Sequence, residues 1–150
     1  MRKVLLLSLG LSILAAPAWA RNDKYILKWA DVLESQEAKG RLDSSVKIYF
    51  GDGAGPEKAE RQGGDDVVQI ARGRGYGQDM REDDIHGCKL AALAALAIYQ
   101  QKARQVGSTA VVDLISNYHN AKFSSATDYE CHAGGTGSHV QFKANYAKGR

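Results

Sequence analysis

Two cysteines and the histidines beside them are the residues of this chain whose types and spacing point to chemistry. Cys88 follows His86 by two positions, and Cys131 is followed directly by His132. Thiolate and imidazole groups are the ligands of Cys₂His₂ zinc sites, and they also suit copper. An even cysteine count in a chain that leaves the cytosol is more simply explained by one disulfide, which removes both sulfurs as ligands. We therefore predict a disulfide between Cys88 and Cys131, with a zinc or copper site on His86, Cys88, Cys131 and His132 as the alternative.

The first twenty residues carry the pattern of a secretory signal peptide. A short basic start at Met1-Arg2-Lys3 precedes an apolar run from Val4 to Ala16, and Ala18-Trp19-Ala20 is a small-x-small cleavage site. The apolar run is too short for a comfortable transmembrane helix, which needs about 20 residues. We predict export to the periplasm or beyond, cleavage after Ala20, and no stable membrane anchor after cleavage. In an oxidising compartment the predicted bridge would stabilise the fold by about 4 kcal/mol.

Charge and motif content exclude several classes of function. The leader holds two of the 20 basic residues, so 18 face 17 acidic ones from Arg21 onward, a net charge of +1. Without a basic stripe we predict no nucleic-acid partner. The sequence has no G-x-x-x-x-G-K-[ST], G-x-S-x-G, H-E-x-x-H or C-x-x-C motif. Glycines 73, 75 and 77 do not match a dinucleotide loop, whose third glycine comes one residue later. We predict no enzymatic activity and no cofactor.

The elements that would position these residues make up one domain over residues 21–150. The Ala- and Leu-rich segment from about Asp83 or Asp84 to Val106, closed by Gly107, predicts a long helix. Alternating or apolar runs predict strands at 45–50, 66–72, 109–118, 129–132 and 140–146. The result is an α+β fold with one long Ala-rich helix packed on a mostly antiparallel sheet of about four to five strands.

The segments around these elements are less regular. Residues 21–29 form a mixed lead-in, followed by a short helix over about 32–39. Five glycines and Pro56 among charges predict a flexible surface loop over 51–64. We expect the strands on its two sides, 45–50 and 66–72, to pair antiparallel.

Three stretches resemble a group of small exported bacterial proteins of unknown function that are often labelled "excinuclease ATPase subunit". They are Gly87-Cys88 with the helix that follows, residues 103–112 (ARQVGSTAVV), and residues 129–134 (YECHAG) before a V-x-F-K-x strand. The resemblance covers most of residues 30 to 148. An excision-repair ATPase needs Walker motifs and typically zinc-finger cysteines, which this sequence lacks, so we treat the label as an inherited misannotation.

A more distant resemblance concerns the helix followed by Gly107-Ser108-Thr109-Ala110-Val111-Val112. It is similar to the fold shared by the YbjQ-type proteins, described as heavy-metal-binding, and the Rcs-type envelope-stress sensor lipoprotein. That sensor is lipidated on a cysteine at its cleavage site, and no cysteine stands there in this chain. Export, a disulfide-stabilised α/β core and the lack of a catalytic set favour a non-enzymatic periplasmic domain that binds another envelope component or acts in stress sensing. The alternative remains a periplasmic protein that binds zinc or copper through Cys and His ligands.

Overall fold

Residues 21–73 and 79–149 are described by the structure, which is a computed structural model. The described residues form a seven-stranded sheet, one long helix, one short helix and a 3₁₀ turn. In chain order they are β1 (Asn22–Lys28), α1 (Trp29–Leu33), the 3₁₀ turn (Gln36–Ala38), β2 (Lys47–Phe50), β3 (Ala59–Gly73), α2 (Met80–Gln105), β4 (Ala110–Tyr118), β5 (Ala121–Phe123), β6 (Asp128–Gly134) and β7 (Gly137–Gly149). The predicted α+β class with one long helix is confirmed, whereas the sheet has more strands than predicted. The predicted signal peptide, residues 1–20, and glycines 75 and 77 lie outside the described residues.

Strand β7 is the centre of the sheet. Along its full length it pairs antiparallel with β3, and its other edge pairs first with β6 and then with β4. Strand β1 extends the sheet beyond β6, and β5 pairs antiparallel with β4. Strand β2 pairs with β4 in the parallel direction. Among the described strands the sheet is therefore mixed, with antiparallel pairs in the majority.

Helix α2 packs against one face of the sheet, mainly over β7 and β3. Asp79 caps its start by accepting hydrogen bonds from the backbone N–H groups of Arg81 and Glu82, so the helix begins earlier than predicted. Buried alanines at 91, 92, 95 and 103 allow the close approach. The core between helix and sheet includes Leu93, Leu96, Tyr99, Val140 and Phe142. No helix within the described ranges is long and apolar enough to cross a membrane.

The N-terminal region differs from the predicted lead-in and helix over 32–39. Strand β1 is an edge strand whose inner side chains, Tyr25 and Leu27, are only half-buried, so its hydrophobic alternation is weak. Helix α1 ends at Leu33. Ser35 then caps a separate 3₁₀ turn by accepting a hydrogen bond from the backbone N–H of Ala38.

The loop predicted over 51–64 is shorter in the structure. Strand β3 begins at Ala59, so the loop spans 51–58. The start of β3 contains Gly63 and Gly64, two register shifts, and Asp65 at a φ of 57°. Irregularities of this kind conceal a strand from period-two analysis. The expected pairing of residues 45–50 with 66–72 is wrong, because β2 lies beside β4 and β3 lies beside β7.

Candidate functional site

The two cysteines form the predicted disulfide. Cys88 lies on α2 and Cys131 on β6, with Cα atoms 5.9 Å apart and an Sγ–Sγ distance of 2.02 Å. Both residues are fully buried, so the bridge joins the helix to the sheet inside the core. Since each sulfur is bonded to the other, neither is a thiolate that a metal ion could use.

The structure separates the two histidines of the alternative metal set. His86 is exposed on α2. His132 follows Cys131 on β6, and successive side chains of a strand point to opposite faces of the sheet. Cys131 points towards α2, because it is bonded to Cys88 on that helix. His132 therefore lies on the face of the sheet that α2 leaves uncovered. Within residues 21–73 and 79–149, no group of three or more His, Cys, Asp or Glu side chains is arranged to hold a metal ion. The four predicted ligands are thus not brought together as a binding set.

His132 belongs instead to a group of four rings, Tyr118, His119, His132 and His139, which we call the histidine–tyrosine cluster. The Tyr118 ring stacks on His132 with centroids 3.5 Å apart and an interplanar angle of 12°. Nε2 of His139 lies 2.9 Å from the Tyr118 hydroxyl, and the ring centroids are 5.2 Å apart. His119 follows in the turn to β5, its ring 4.2 Å from that of Tyr118. One tyrosine therefore contacts three imidazoles.

Polar partners on β1 and β6 hold the His132 ring in place. Its Nε2 lies 2.7 Å from Oε1 of Glu130, and its Nδ1 lies 3.2 Å from Oδ1 of Asn22. The Lys24 ammonium lies 2.5 Å from the second oxygen of the Glu130 carboxylate. Glu130 and His132 are both buried, and a buried carboxylate needs such partners to offset its lost hydration.

Burial and neighbouring charges shift two pKa values in this region. Burial lowers the pKa of His139 below its ordinary value, and charge on the neighbouring His132 and His119 imidazoles lowers it further. Burial by itself would raise the pKa of Glu130, but hydrogen bonds from Lys24 and His132 outweigh it and hold that pKa below its ordinary value. At neutral pH the site therefore combines an ionised carboxylate with a neutral His139.

A cavity of about 470 Å³ opens beside the cluster. It is lined by Tyr118, His139, the β6–β7 turn over residues 134–137, Arg21 and Asn22. The Arg21 guanidinium donates to both carboxylate oxygens of Asp84, at 2.8 and 3.0 Å, and the Tyr25 hydroxyl donates to the same carboxylate. Asp84 is buried on α2. This ion pair ties the start of β1 to the helix and holds one wall of the cavity in position.

The sequence contained one signal for this site that our prediction did not use. Glu130 and His132 are two residues apart in a predicted strand, which places both side chains on one face. The register of β6 and β7 then sets His139 opposite His132. Tyr118 and Asn22 carried no comparable signal, because they come from other strands and meet His132 only in the assembled sheet.

Comparison of the chain with protein-family models, with curated proteins and with solved structures finds no significant match. The resemblances noted from the sequence therefore stay predictions, and the function has to be argued from this chain's own geometry.

Proposed function

We propose that this protein is an exported binding module and that its recognition site is the cavity beside the histidine–tyrosine cluster. The Cys88–Cys131 disulfide supports an oxidising compartment, because such bonds form and persist mainly outside the cytosol. On this proposal the leader is cleaved after Ala20, and the domain binds another envelope protein in the periplasm or outside the cell. The role is binding and stress sensing without catalysis.

The observation that carries the proposal is that Tyr118, whose ring contacts three imidazoles, lines an open cavity together with one of them, His139. Aromatic and imidazole rings offer a partner both apolar surface and hydrogen-bonding atoms, a combination that is common at binding interfaces. The Glu130 and Asn22 contacts fix the ring beneath Tyr118, so little ordering is needed when a partner binds.

The sensing role rests on His139, which lies in the cluster and lines the cavity. His139 faces Tyr118 on β4, His132 on β6 and His119 in the β4–β5 turn. The charged groups nearest the cluster and its cavity are Glu130, Lys24, Arg21 and the two carboxylates that pair with Arg21, Asp23 and Asp84. When the pH falls below the histidine range, His139 gains a positive charge at the cavity wall beside other imidazoles. We infer that acid changes the affinity for the partner.

Site-specific photocrosslinking in the producing cell tests this proposal. A photoreactive residue replaces Thr136, which is exposed in the β6–β7 turn at the cavity rim, and a control replaces the exposed Lys58 beside the start of β3. We expect a crosslink to one envelope protein from position 136 only. Its yield should change about three-fold or more between about pH 7.5 and about pH 5.5, a window that spans histidine titration.

The variant His139→Gln separates sensing from binding. It keeps a polar side chain that can reach the Tyr118 hydroxyl but does not titrate, so we expect the crosslink to remain and its pH dependence to disappear. Equal crosslinking from positions 136 and 58 would refute the binding site. An unchanged pH dependence in His139→Gln would refute the sensing role.

A further inference from the structure

A second cavity, of about 610 Å³, lies at the opposite end of β1 from the cluster. Helix α1, the end of β2 and the loop before β6 form its walls, and its apolar lining is Trp29, Ala30, Leu33, Phe50 and Ala126. Hydrogen bonds from Trp29 N to Thr127 O and from Asp52 N to Ser124 Oγ tie these segments together. The cavity is therefore formed before any ligand binds, and its volume lies in the range of small-molecule sites.

The inner wall of this cavity is aromatic. Trp29 is 3% exposed, and its ring centroid lies 4.5 Å from that of Phe50 and 4.6 Å from that of Tyr129. Trp29 Nε1 and the Tyr129 hydroxyl are themselves buried and have no hydrogen-bond partner among the residues that the structure describes. The wall therefore offers a ligand ring surface rather than these polar atoms, which favours an apolar ligand.

The charges at the mouth restrict the ligand further. Glu34 and Asp128 each bring a carboxylate, and Lys28 brings the single ammonium group among the lining residues. The net charge of these three side chains is negative, which disfavours the binding of an anion. The apolar lining and this charge balance together favour a neutral, largely apolar molecule.

Room for an apolar tail exists beyond this cavity. An adjoining hollow of about 270 Å³ shares Leu33 and Phe50 with it and adds Leu42, Val46 and Ile48 to the wall. Leu33 is 39% exposed, more than is usual for a leucine that only fills a core. Leu33 and Phe50 thus stand between two parts of one apolar groove.

We propose that this groove is a binding site for a neutral, largely apolar small molecule. The site is independent of the proposed function, because six residues of extended strand, about 20 Å, separate Lys28 at its mouth from Asn22 beside the cluster. Loss of one site therefore leaves the other in place.

The fluorescence of Trp29 provides a direct test. The chain has two tryptophans, Trp19 and Trp29, so Trp19→Phe in the full chain leaves Trp29 as the single reporter. Prodan, a neutral naphthyl ketone whose emission shifts to the blue in apolar surroundings, is the probe. We expect saturable binding with a blue shift and energy transfer from Trp29. Prodan emission that stays at its value in water throughout the titration would overturn the proposal.

A matched pair of variants locates the probe. Leu33→Gln should weaken prodan binding about ten-fold or more, because it places an amide in the narrow part of the groove. Met80→Gln is the control, since Met80 is 48% exposed on the other helix and lines neither hollow. Equal affinities of the two variants would place prodan elsewhere and overturn the site.

The preference for a neutral ligand is tested separately. Naphthoate should bind about ten-fold more weakly than the ketone acetylnaphthalene, because it is an anion and the charges at the mouth are negative on balance. Naphthoate binding as tightly as acetylnaphthalene would overturn the assignment of a neutral ligand.

Discussion

The two ends of the ribbon formed by β1 and β6 are built on opposite physical principles. The ribbon runs from the pair Asn22 and Gly134 to the pair Lys28 and Asp128. Towards the first end, which we call the polar end, His132 is buried with both ring nitrogens paired, one to Asn22 and the other to the Glu130 carboxylate further along β6. At the second, the aromatic end, Trp29 and Tyr129 are buried with polar atoms that have no partner among the described residues.

This contrast shows how one ribbon can carry two kinds of site. Directed hydrogen bonds at the polar end set the orientation of each ring, so loss of one member leaves a buried group unsatisfied. Packing of the Trp29 ring against the tilted rings of Phe50 and Tyr129 at the aromatic end depends on buried area and tolerates small changes of shape. The polar end is suited to respond to protons, and the aromatic end is suited to hold an apolar ligand.

The largest effect is expected where the ribbon is bonded to α2, between its two ends. Cys88→Ser should lower the free energy of unfolding by about 4 kcal/mol, because the unfolded chain loses its crosslink. Urea denaturation followed by circular dichroism measures this. Cys131→Ser and the double variant should lose the same amount, since each change breaks the same bond. A urea midpoint equal to that of the wild-type protein in either single variant would show that the bridge does not contribute to stability.

The next effect concerns the ion pair of the polar end. Asp84→Ala should lower the free energy of unfolding by about 3 kcal/mol, because it removes the buried carboxylate that pairs with two Arg21 nitrogens and leaves that guanidinium with the exposed Asp23. Arg21→Ala, tested by the same denaturation, removes these two hydrogen bonds from the almost fully buried Asp84 carboxylate. The double variant should be more stable than the sum of the two single losses predicts. Strict additivity would contradict a direct coupling between the two side chains.

A pair of phenylalanine substitutions compares the two ends directly. His132→Phe keeps a ring but removes a hydrogen-bond partner of the buried Glu130, so we expect a loss of about 2 kcal/mol in the free energy of unfolding. Trp29→Phe removes an N–H that has no partner among the described residues, at the cost of some packed volume, so about 1 kcal/mol should be lost. Thermal and urea unfolding measure both. A larger loss in Trp29→Phe would reverse the proposed contrast.

The smallest effect is a pH dependence at the polar end. The pKa of His139 is lower in the folded state than in the unfolded chain, where it is about 6.5. The folded state then binds the proton less readily, so the stability contributed by neutral His139 is full above about pH 6.5 and is lost as the pH falls through the folded-state pKa.

Urea denaturation in a series of buffers measures this dependence. His139→Gln should lack it, whereas His86→Gln, which changes an exposed histidine on α2, should keep it. If the free energy of unfolding changed equally with pH in the two variants between about pH 7 and about pH 5, the pH dependence would belong to groups other than His139.

The features that could be predicted from the sequence are those with local causes. The alanine-rich segment of α2, closed by Gly107, and the even cysteine count each carry their signal within a few residues or in the composition. Strands β1 and β5 were missed because they pair along one edge and leave most side chains exposed. The start of β3 was missed because its bulges break the two-residue period.

The same distinction between local and long-range causes applies to the candidate site. The Glu130 and His132 side chains share a strand face, which their spacing alone implies. Their contacts with Asn22, Tyr118 and His139 join four strands, and no spacing in the sequence encodes such contacts. The predicted ligand set of His86 and His132 with the two cysteines failed to assemble because side chains alternate across β6.

The amino-acid sequence by itself determined the α+β class, the long helix and the pairing of its two cysteines, because periodicity, capping and cysteine count act locally or through composition. Tertiary structure alone decided that Tyr118 would contact three histidines, and that Trp29 would be buried beside an apolar groove without a partner for its N–H among the described residues. The physical reason is that register and twist between strands far apart in the chain set these contacts, and both are properties of the whole sheet.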